Sequence, residues 1–504
     1  MPEKVLKKYF GYDNFRKGQE ELVTEILRGN DVLGIMPTGA GKSLCFQVPS
    51  IVMDGISLVV SPLISLMQDQ VKALIQSGIR AAYINSSLSP RQIDKALSNA
   101  KMGMYKIIYV APERLLTDNF LSFAKSANIS MLTVDEAHCI SQWGQDFRPS
   151  YSQIPEFIDT LSKRPVVSAF TATATEQVKK DIIKILKLQN PLVLISGFDR
   201  ENLYFEVVKS NNKTADLLAF LSDKKDKSGI IYCSTRKTVE EVCSELLMKK
   251  FSVKKYHAGL SLQERQENQN DFIYDNTKIM VATNAFGMGI DKSNVNFVVH
   301  YNMPKDMESY YQEAGRAGRD GSPAHCIMLY SGQDVMINRY LIENSLDTNY
   351  KDEETKKKLK KLAEKRLRDI SFYSTSKYCL RKYILNYFGD KAKTFCDNCS
   401  NCNKTHKLVR GKEKTNTAKQ SVPLNREDLF QSLRELRTKI AKRQSLPDFV
   451  IFDDSCLIDM CYKLPVNQKE FLSISGVSQA KSEKYSKEFV ALISNYCNSK
   501  NATK

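Results

Sequence analysis

The run Met36-Pro37-Thr38-Gly39-Ala40-Gly41-Lys42-Ser43 has the residue types that wrap a phosphate chain. It follows a strand-like apolar stretch and precedes a helical one, the setting in which backbone N–H groups converge on an anion at a helix N-terminus. Gly39 and Gly41 would permit close backbone approach, Lys42 would neutralise the β- and γ-phosphates, and Ser43 would ligate Mg²⁺. Further on, Leu132-Thr133-Val134 runs into Asp135-Glu136-Ala137-His138. Asp135 suits a second Mg²⁺ contact, and Glu136 could orient or deprotonate an attacking water. A Gly-rich turn and an acidic pair at a strand end are each common. The two in this order within one α/β domain point to a nucleoside triphosphatase. Arg316 and Arg319, in Gln312-Glu313-Ala314-Gly315-Arg316-Ala317-Gly318-Arg319-Asp320, follow a predicted helix over residues 305–312. They would share a helical face, reach the γ-phosphate from a second domain and stabilise charge in phosphoryl transfer. A surface loop of salt-bridging arginines is the alternative.

Directly after the carboxylates comes Cys139-Ile140-Ser141-Gln142-Trp143-Gly144-Gln145-Asp146-Phe147-Arg148-Pro149. Trp143 is the chain's single tryptophan and sits among polar residues. Such an aromatic can stack on a nucleic-acid base, and Arg148 could contact phosphate or stack. Ordinary core anchors at Trp143 and Phe147 are the competing reading. Cys379, Cys396, Cys399 and Cys402 form C-x16-C-x2-C-x2-C, which suits tetrahedral Zn²⁺–thiolate ligation, with redox disulfides as the rival. His406 lies nearby but is superfluous beside four thiolates. The other eight of the twelve cysteines are scattered, so no disulfide framework is expected.

Short apolar runs alternating with helical stretches must position these groups. Val32–Ile35, 58–60, Ile107–Val110, 132–134 and 166–170 read as one series of buried strands. Residues 229–233, Val253–Tyr256, 278–281 and 295–300 read as a second. Strand–helix alternation implies right-handed β-α-β units and parallel sheets, hence two α/β domains joined near residues 197–202. A charged helical stretch follows at 351–368, then an apolar helical face at Leu380, Tyr383, Ile384, Tyr387 and Phe388 ending at Gly389. Residues 403–420 read as a basic linker. Leu429, Leu433, Leu436 and Ile440 then mark one face of a last, helical domain. The 504 residues carry a formal charge of +17, which makes a polyanion the expected partner. No window approaches a membrane span, and the first residues lack a signal peptide's apolar core, so an intracellular protein is expected.

The motifs, taken in order, resemble those of superfamily 2 helicases and specifically RecQ, from about Phe10 to Cys402. Phe10-Gly11-Tyr12 and Phe15-Arg16-Lys17-Gly18-Gln19 resemble the family's adenine-reading motif, Lys17 standing where the family often has proline. The resemblance implies an ATP site of Tyr12, Arg16, Gln19, Thr38, Gly39, Gly41, Lys42 and Ser43, with Met36 a family feature. Ser61-Pro62-Leu63-Ile64-Ser65-Leu66-Met67-Gln68-Asp69-Gln70 resembles a strand-binding motif. Ala111-Pro112-Glu113-Arg114-Leu115, Thr171-Ala172-Thr173-Ala174 and Tyr232-Cys233-Ser234-Thr235-Arg236 match further motifs. So does Ala282-Thr283-Asn284-Ala285-Phe286-Gly287-Met288-Gly289-Ile290-Asp291. The loop after the carboxylates resembles the family's aromatic-rich loop, so DNA contacts are expected at Ser61, His138, Trp143, Phe147 and Arg148.

The resemblance implies a DNA-stimulated ATPase using Mg²⁺, structural Zn²⁺ on the four cysteines, and 3′-to-5′ translocation with duplex opening, in recombination, repair or replication. The expected domains are two RecA-like lobes (1–200 and 201–335), a helical zinc subdomain (336–403), a linker (404–424) and a small all-α domain (425–500). That tail resembles the helicase-and-RNase-D C-terminal module, with Gly476 turning the chain before a closing helix. Its Lys439, Lys442, Arg443, Lys481 and Lys484 form either a phosphate-facing patch or a solvated face. The winged helix of longer relatives is not expected, because residues 403–423 cannot bury a core. A monomer acting on single strands and tailed duplexes is expected, in the bacterial nucleoid, with no membrane and with protein partners at the tail. A translocase, remodeller or annealing factor without processive unwinding, an RNA helicase and a non-catalytic scaffold are the alternatives.

Overall fold

Four- to seven-residue runs rich in Val, Ile and Leu form parallel sheets whose central strands are buried on both faces, as their composition calls for. The computed structural model describes residues 1–144, 146–287, 292–349, 353–403, 426–444, 446 and 448–501. The expected linker, His406, Gln145 and the Met288–Asp291 end of one motif lie outside them. The chain divides into two units, Met1–Met36 with Ala40–Ser196 and Thr417–Lys504, and Pro37–Gly39 with Gly197–Asn416.

The first unit holds a seven-stranded sheet of order β3-β4-β2-β5-β6-β1-β7. Its strands are β1 (Val32–Ile35), β2 (Ile56–Val60), β3 (Ala81–Ile84), β4 (Ile107–Val110), β5 (Ile129–Val134), β6 (Val166–Thr171) and β7 (Leu192–Ile195). All neighbours pair parallel, so every strand's C-terminal end faces one edge. Both chemical motifs sit there: the phosphate loop follows β1 and the carboxylates follow β5. The second unit repeats the plan with a six-stranded sheet, β10-β11-β9-β12-β13-β8. It comprises β8 (Leu203–Lys209), β9 (Gly229–Tyr232), β10 (Val253–Tyr256), β11 (Ile279–Ala282), β12 (Phe297–His300) and β13 (Ala324–Tyr330). Four of these thirteen strands, β3, β7, β8 and β13, were not foreseen from the sequence. Three of the four, β3, β7 and β8, are edge strands, which pair on one side only.

In the second unit the sheet is followed by helices Gly332–Asn349, Glu353–Thr375 and Leu380–Tyr387. The last ends where expected, with Gly389 beyond it. The C-terminal helices, Glu427–Gln444, Asp448–Ile451, Asp454–Lys463, Gln468–Phe471 and Gln479–Asn501, close on their own core of Leu429, Leu433, Ile440, Phe452, Phe471 and Phe489. The turn before the closing helix meets the first lobe: the Gly476 amide donates to the Gly11 carbonyl at 3.2 Å. Lys484 also reaches Gln76 at 3.0 Å. Among the described residues no helix is long and apolar enough to cross a membrane.

Candidate functional site

Gly41 takes φ +80°, a conformation L side chains avoid, and starts the Lys42–Val52 helix. A Cβ there would fall 2.4 Å from Gln19 Nε2, so a larger residue would displace Gln19. Gln19 is buried and ties two motifs together. Its amide donates to the carbonyls of Ala40 at 3.0 Å and Gly41 at 3.1 Å, and its oxygen accepts from the Arg16 amide at 2.8 Å. Tyr12 is half-buried against Leu6, Val23 and Val48, and the Arg16 side chain is exposed. Lys42 Nζ rests 3.2 Å from the Met36 carbonyl, across the loop it would vacate for a phosphate. Ser43 is half-exposed at the helix start.

At the end of β5, Glu136 adopts φ +48°, a left-handed conformation rare outside glycine and frequent at working sites. Burial, then the adjacent Glu136 carboxylate, pushes Asp135 up to about 7, while Lys42 pulls it down. Two crowded carboxylates beside a helix-borne Ser43 and a phosphate loop make a hard-oxygen donor set that fits Mg²⁺. His138 Nδ1 lies 2.9 Å from Thr171 Oγ1 and 3.4 Å from Glu136 Oε2. The Thr171 hydroxyl donates to the Thr173 carbonyl at 3.0 Å, so its oxygen accepts from His138 Nδ1–H. Burial lowers the His138 pKa, holding the ring neutral, with Glu136 opposing. Thr171 was legible as part of a motif, but its pairing with His138 was not.

Of the expected strand contacts, Trp143, Phe147 and Arg148 are partly exposed, whereas Ser61 and His138 are fully buried. Ser61 and His138 therefore stand behind the surface that a strand would touch. Arg148 donates to the Pro62 carbonyl at 2.8 Å and to Asp146 at 3.1 Å, linking the aromatic loop to the Ser61–Gln70 motif. The tail's basic residues do not form one free face. Arg443 pairs with Glu488 at 2.8 Å, Lys484 binds Gln76, and Lys481 lies 5.5 Å above the Phe452 ring.

In the second unit the predicted helix runs Met307–Ala314 and stops at Gly315. Arg316 and Arg319 consequently lie on the turns beyond it, not on a helical face. Arg316 is buried with its guanidinium on the Gly287 carbonyl, and Arg319 is half-exposed. Pro37–Gly39 group with this unit, and within it the Thr38 hydroxyl donates to the Gly315 carbonyl at 3.1 Å. A Cβ on Gly39 would come 3.3 Å from Arg200 Nη1 and 3.7 Å from Arg319 Cγ. Arg200 escaped the sequence reading. Its only signal was an arginine inside a segment taken as a connection.

The Sγ atoms of Cys379, Cys396, Cys399 and Cys402 all lie within 4.8 Å of one another. That spacing fits four thiolates about 2.3 Å from one Zn²⁺. The neighbouring Cys396 thiol is the main cause that draws the Cys399 thiol down, with burial opposing.

Profiles of four families match in order. These are DEAD/DEAH box helicase over 16–181, helicase conserved C-terminal domain over 212–321, RecQ zinc-binding over 332–403 and HRDC over 426–493. The ATP-dependent DNA helicase RecQ of Bacillus subtilis (strain 168) is 38% identical, covering 98% of both chains. That of Pasteurella multocida (strain Pm70) is 34% identical over 97% of this chain and 93% of its own. A relative from Acanthamoeba polyphaga mimivirus, provisionally named an ATP-dependent RNA helicase, is 41% identical over 83% of this chain and 75% of its own. Among solved structures, the DNA-bound helicase MrfA superposes with a TM-score of 0.55 at 19% identity, over 78% of this chain and 59% of that one. Mycobacterium smegmatis Lhr, bound to ssDNA and AMP-PNP, gives 0.53 at 19% identity over 66% and 48%. Those likenesses carry the two-lobed fold, and the full-length relatives carry the rest: the chain belongs to the RecQ family of ATP-dependent DNA helicases, which use Mg²⁺·ATP and bind zinc.

Proposed function

We propose that the chain moves 3′ to 5′ along single-stranded DNA and opens duplexes that carry a 3′ tail. One observation carries the coupling of strand to hydrolysis. The carboxylates and the half-exposed aromatic loop share residues 135–148, with His138 touching Glu136 at one end and Arg148 tied to Pro62 at the other. A strand that shifts Arg148 therefore acts on Glu136 through the backbone, the Arg148 amide donating to the Cys139 carbonyl and the Cys139 amide to the Glu136 carbonyl, both at 2.9 Å.

In this reading Tyr12, Arg16 and Gln19 hold adenine, while Thr38, Gly39, Gly41, Lys42 and Ser43 hold the phosphates. Ser43 and Asp135 hold Mg²⁺, which when bound draws charge from the phosphate oxygens. Glu136 orients the attacking water, and Arg316 with Arg319 stabilises the transferring phosphoryl group. Support for those arginines comes from the closeness of Gly39 to Arg319. Trp143, Phe147 and Arg148 touch DNA, with Ser61 and His138 acting behind them. The four cysteines hold structural Zn²⁺. The protein works as an intracellular monomer on nucleoid DNA, in recombination, repair or replication, and its C-terminal domain meets partner proteins. The domain limits 1–200, 201–335, 336–403, 404–424 and 425–500 belong to the same proposal.

A translocase or remodeller without processive unwinding is the second reading. The alignment with the Bacillus subtilis relative spans 592 positions against 504 residues here, so it opens gaps in this chain. Strand separation on 3′-tailed, 5′-tailed and untailed duplexes, with Lys42→Ala as control, distinguishes them. Separation confined to the 3′ tail establishes the helicase reading. DNA-stimulated hydrolysis without separation establishes the second. Stronger activation by RNA than by DNA would overturn the choice of DNA as track.

A further inference from the structure

Arg200 lies in the segment that enters the second sheet, yet its side chain is spent on another loop. Nη2 donates to the carbonyls of Ala317 at 3.0 Å and Gly318 at 2.7 Å. Nη1 donates to Gly315 at 3.4 Å and Thr38 at 2.7 Å, and Nε to Asn202 Oδ1 at 3.3 Å. Asn202 Nδ2 in turn donates to Gly318 and Ser322, both at 2.8 Å. These acceptors bracket Arg316 and Arg319. They also follow the C-terminal end of the Met307–Ala314 helix, where free carbonyls concentrate negative charge. A planar guanidinium fork spreads five donors over three nitrogens and so spans these oxygens, whereas an ammonium offers three donors from a single point.

The segment carrying Arg200 is itself clamped from the cysteine-bearing module. Arg381, two residues past Cys379 and buried, donates to Asp199 at 2.5 Å, to the Arg200 carbonyl at 2.7 Å and to the Leu203 carbonyl. Asn398, between Cys396 and Cys399, donates to the carbonyls of Glu201 at 2.8 Å and Leu203 at 3.1 Å. The Ser400 amide binds the Phe205 carbonyl at 2.9 Å. Phe198 stacks on Phe388 at 4.7 Å, and its amide donates to Asp390 at 2.6 Å. Residues 198–205 are thus gripped from one side and grip the arginine loop on the other.

We infer that Arg200 is a positioning residue for ATP hydrolysis, holding the Gly315–Gly318 backbone so that Arg316 and Arg319 leave it in a fixed direction. The inference rests on the reading of Arg316 and Arg319 as the arginines that act on the γ-phosphate. It gives the cysteine-bearing module a place in catalysis beyond the stability of its own fold, since that module anchors the segment Arg200 springs from.

The test compares Arg200→Ala, Arg200→Lys, Arg316→Ala, Arg319→Ala and the Arg200→Ala/Arg319→Ala double variant in the full chain. It measures DNA-stimulated kcat and KM for ATP, binding of a fluorescent non-hydrolysable ATP analogue, and Tm. A misdirected arginine costs up to about 10²-fold in rate. Arg200→Ala is expected to lower kcat by roughly 10–100-fold with analogue binding nearly unchanged. Arg200→Lys, which keeps the charge and loses the fork, recovers little of it and carries the test alone where Arg200→Ala fails to fold. The double variant is expected to be scarcely slower than Arg319→Ala, because both changes disable one unit. Independent, multiplicative losses, full recovery by Arg200→Lys, or a kcat loss matched by the fall in Tm would overturn the inference. Parent kcat in Arg200→Ala with slow Arg319→Ala would also overturn it and leave the arginine reading standing. Parent kcat in both Arg316→Ala and Arg319→Ala would sink the arginine reading itself.

Discussion

The 38–43 loop and the 315–319 loop, both proposed to meet phosphate charge, are built in opposite ways. The first is local: Thr38 to Ser43 follow β1 directly, and the helix they start supplies the field. Gln19 supports its Ala40 and Gly41 from elsewhere through two hydrogen bonds, and distant bonds to Arg200 and Gly315 hold only its Thr38 end. The second loop has no such self-sufficiency. Its helix has already ended, and its carbonyls are held by Arg200 and Asn202 from more than a hundred residues earlier in the chain. A contiguous site can be read as a motif, whereas a site held from a distance shows its motif and hides its support.

That contrast is testable first at its extremes. Lys42→Ala should cost roughly 10³-fold in ATP turnover and weaken nucleotide binding as well, since one preorganised charge serves ground and transition states. Steady-state hydrolysis and analogue titration measure both. Arg319→Ala should cost about 10²-fold in kcat with analogue affinity near the parent value, because it acts on charge that develops later. Equal loss of affinity in the two variants would erase the distinction between the loops. Trp143→Ala should weaken single-strand binding by about 5–150-fold, the value of one lost stacking partner, and collapse the ratio of DNA-stimulated to DNA-free hydrolysis. An unchanged ratio would detach the aromatic loop from Glu136. Elemental analysis should find about one zinc per chain, and Cys399→Ala should lose it with a lower Tm. A competent preparation without zinc would refute the metal clamp.

The smallest effect is a pH response in the second unit. Burial and then Asp306 push Glu308 up to about 7, while Arg366, at 3.5 Å, and Tyr387 pull the other way. Folded Glu308 keeps a proton that the unfolded chain releases near its ordinary 4.5. Its contribution to stability is therefore complete below about 4.5 and is lost as pH rises through about 7. Glu308→Gln should raise Tm at pH 8 by roughly 2–4 °C and change it less at pH 5. A uniform shift at both values would show that the carboxyl titrates normally.

The sequence made the central strands and the contiguous motifs visible because burial on both faces demands unbroken apolar runs, and phosphate loops demand glycine. β8 escaped because an edge strand tolerates mixed composition, as Leu-Tyr-Phe-Glu-Val-Val-Lys illustrates, whereas β7, Leu-Val-Leu-Ile, is wholly apolar and was passed over as part of the approach to the connection. The cysteine cluster was readable from spacing, and the structure gathers it. Ser61 and His138 were expected to contact DNA and lie buried, because a motif reports that a residue takes part, not which way it points. Arg200 was invisible for a related reason: its acceptors are backbone oxygens, which carry no signature in the residues that own them.

Gly11 offers a way to separate the presence of the C-terminal domain from its docking. A methyl group there would sit 2.6 Å from the Val477 backbone, on a residue whose φ of +80° already disfavours any side chain. Gly11→Ala is thus a wedge one carbon wide, prising the tail from the lobe without shortening the polypeptide. Because Tyr12, proposed to hold adenine, is the next residue, the wedge also tests through ATP affinity whether the tail's grip reaches that position.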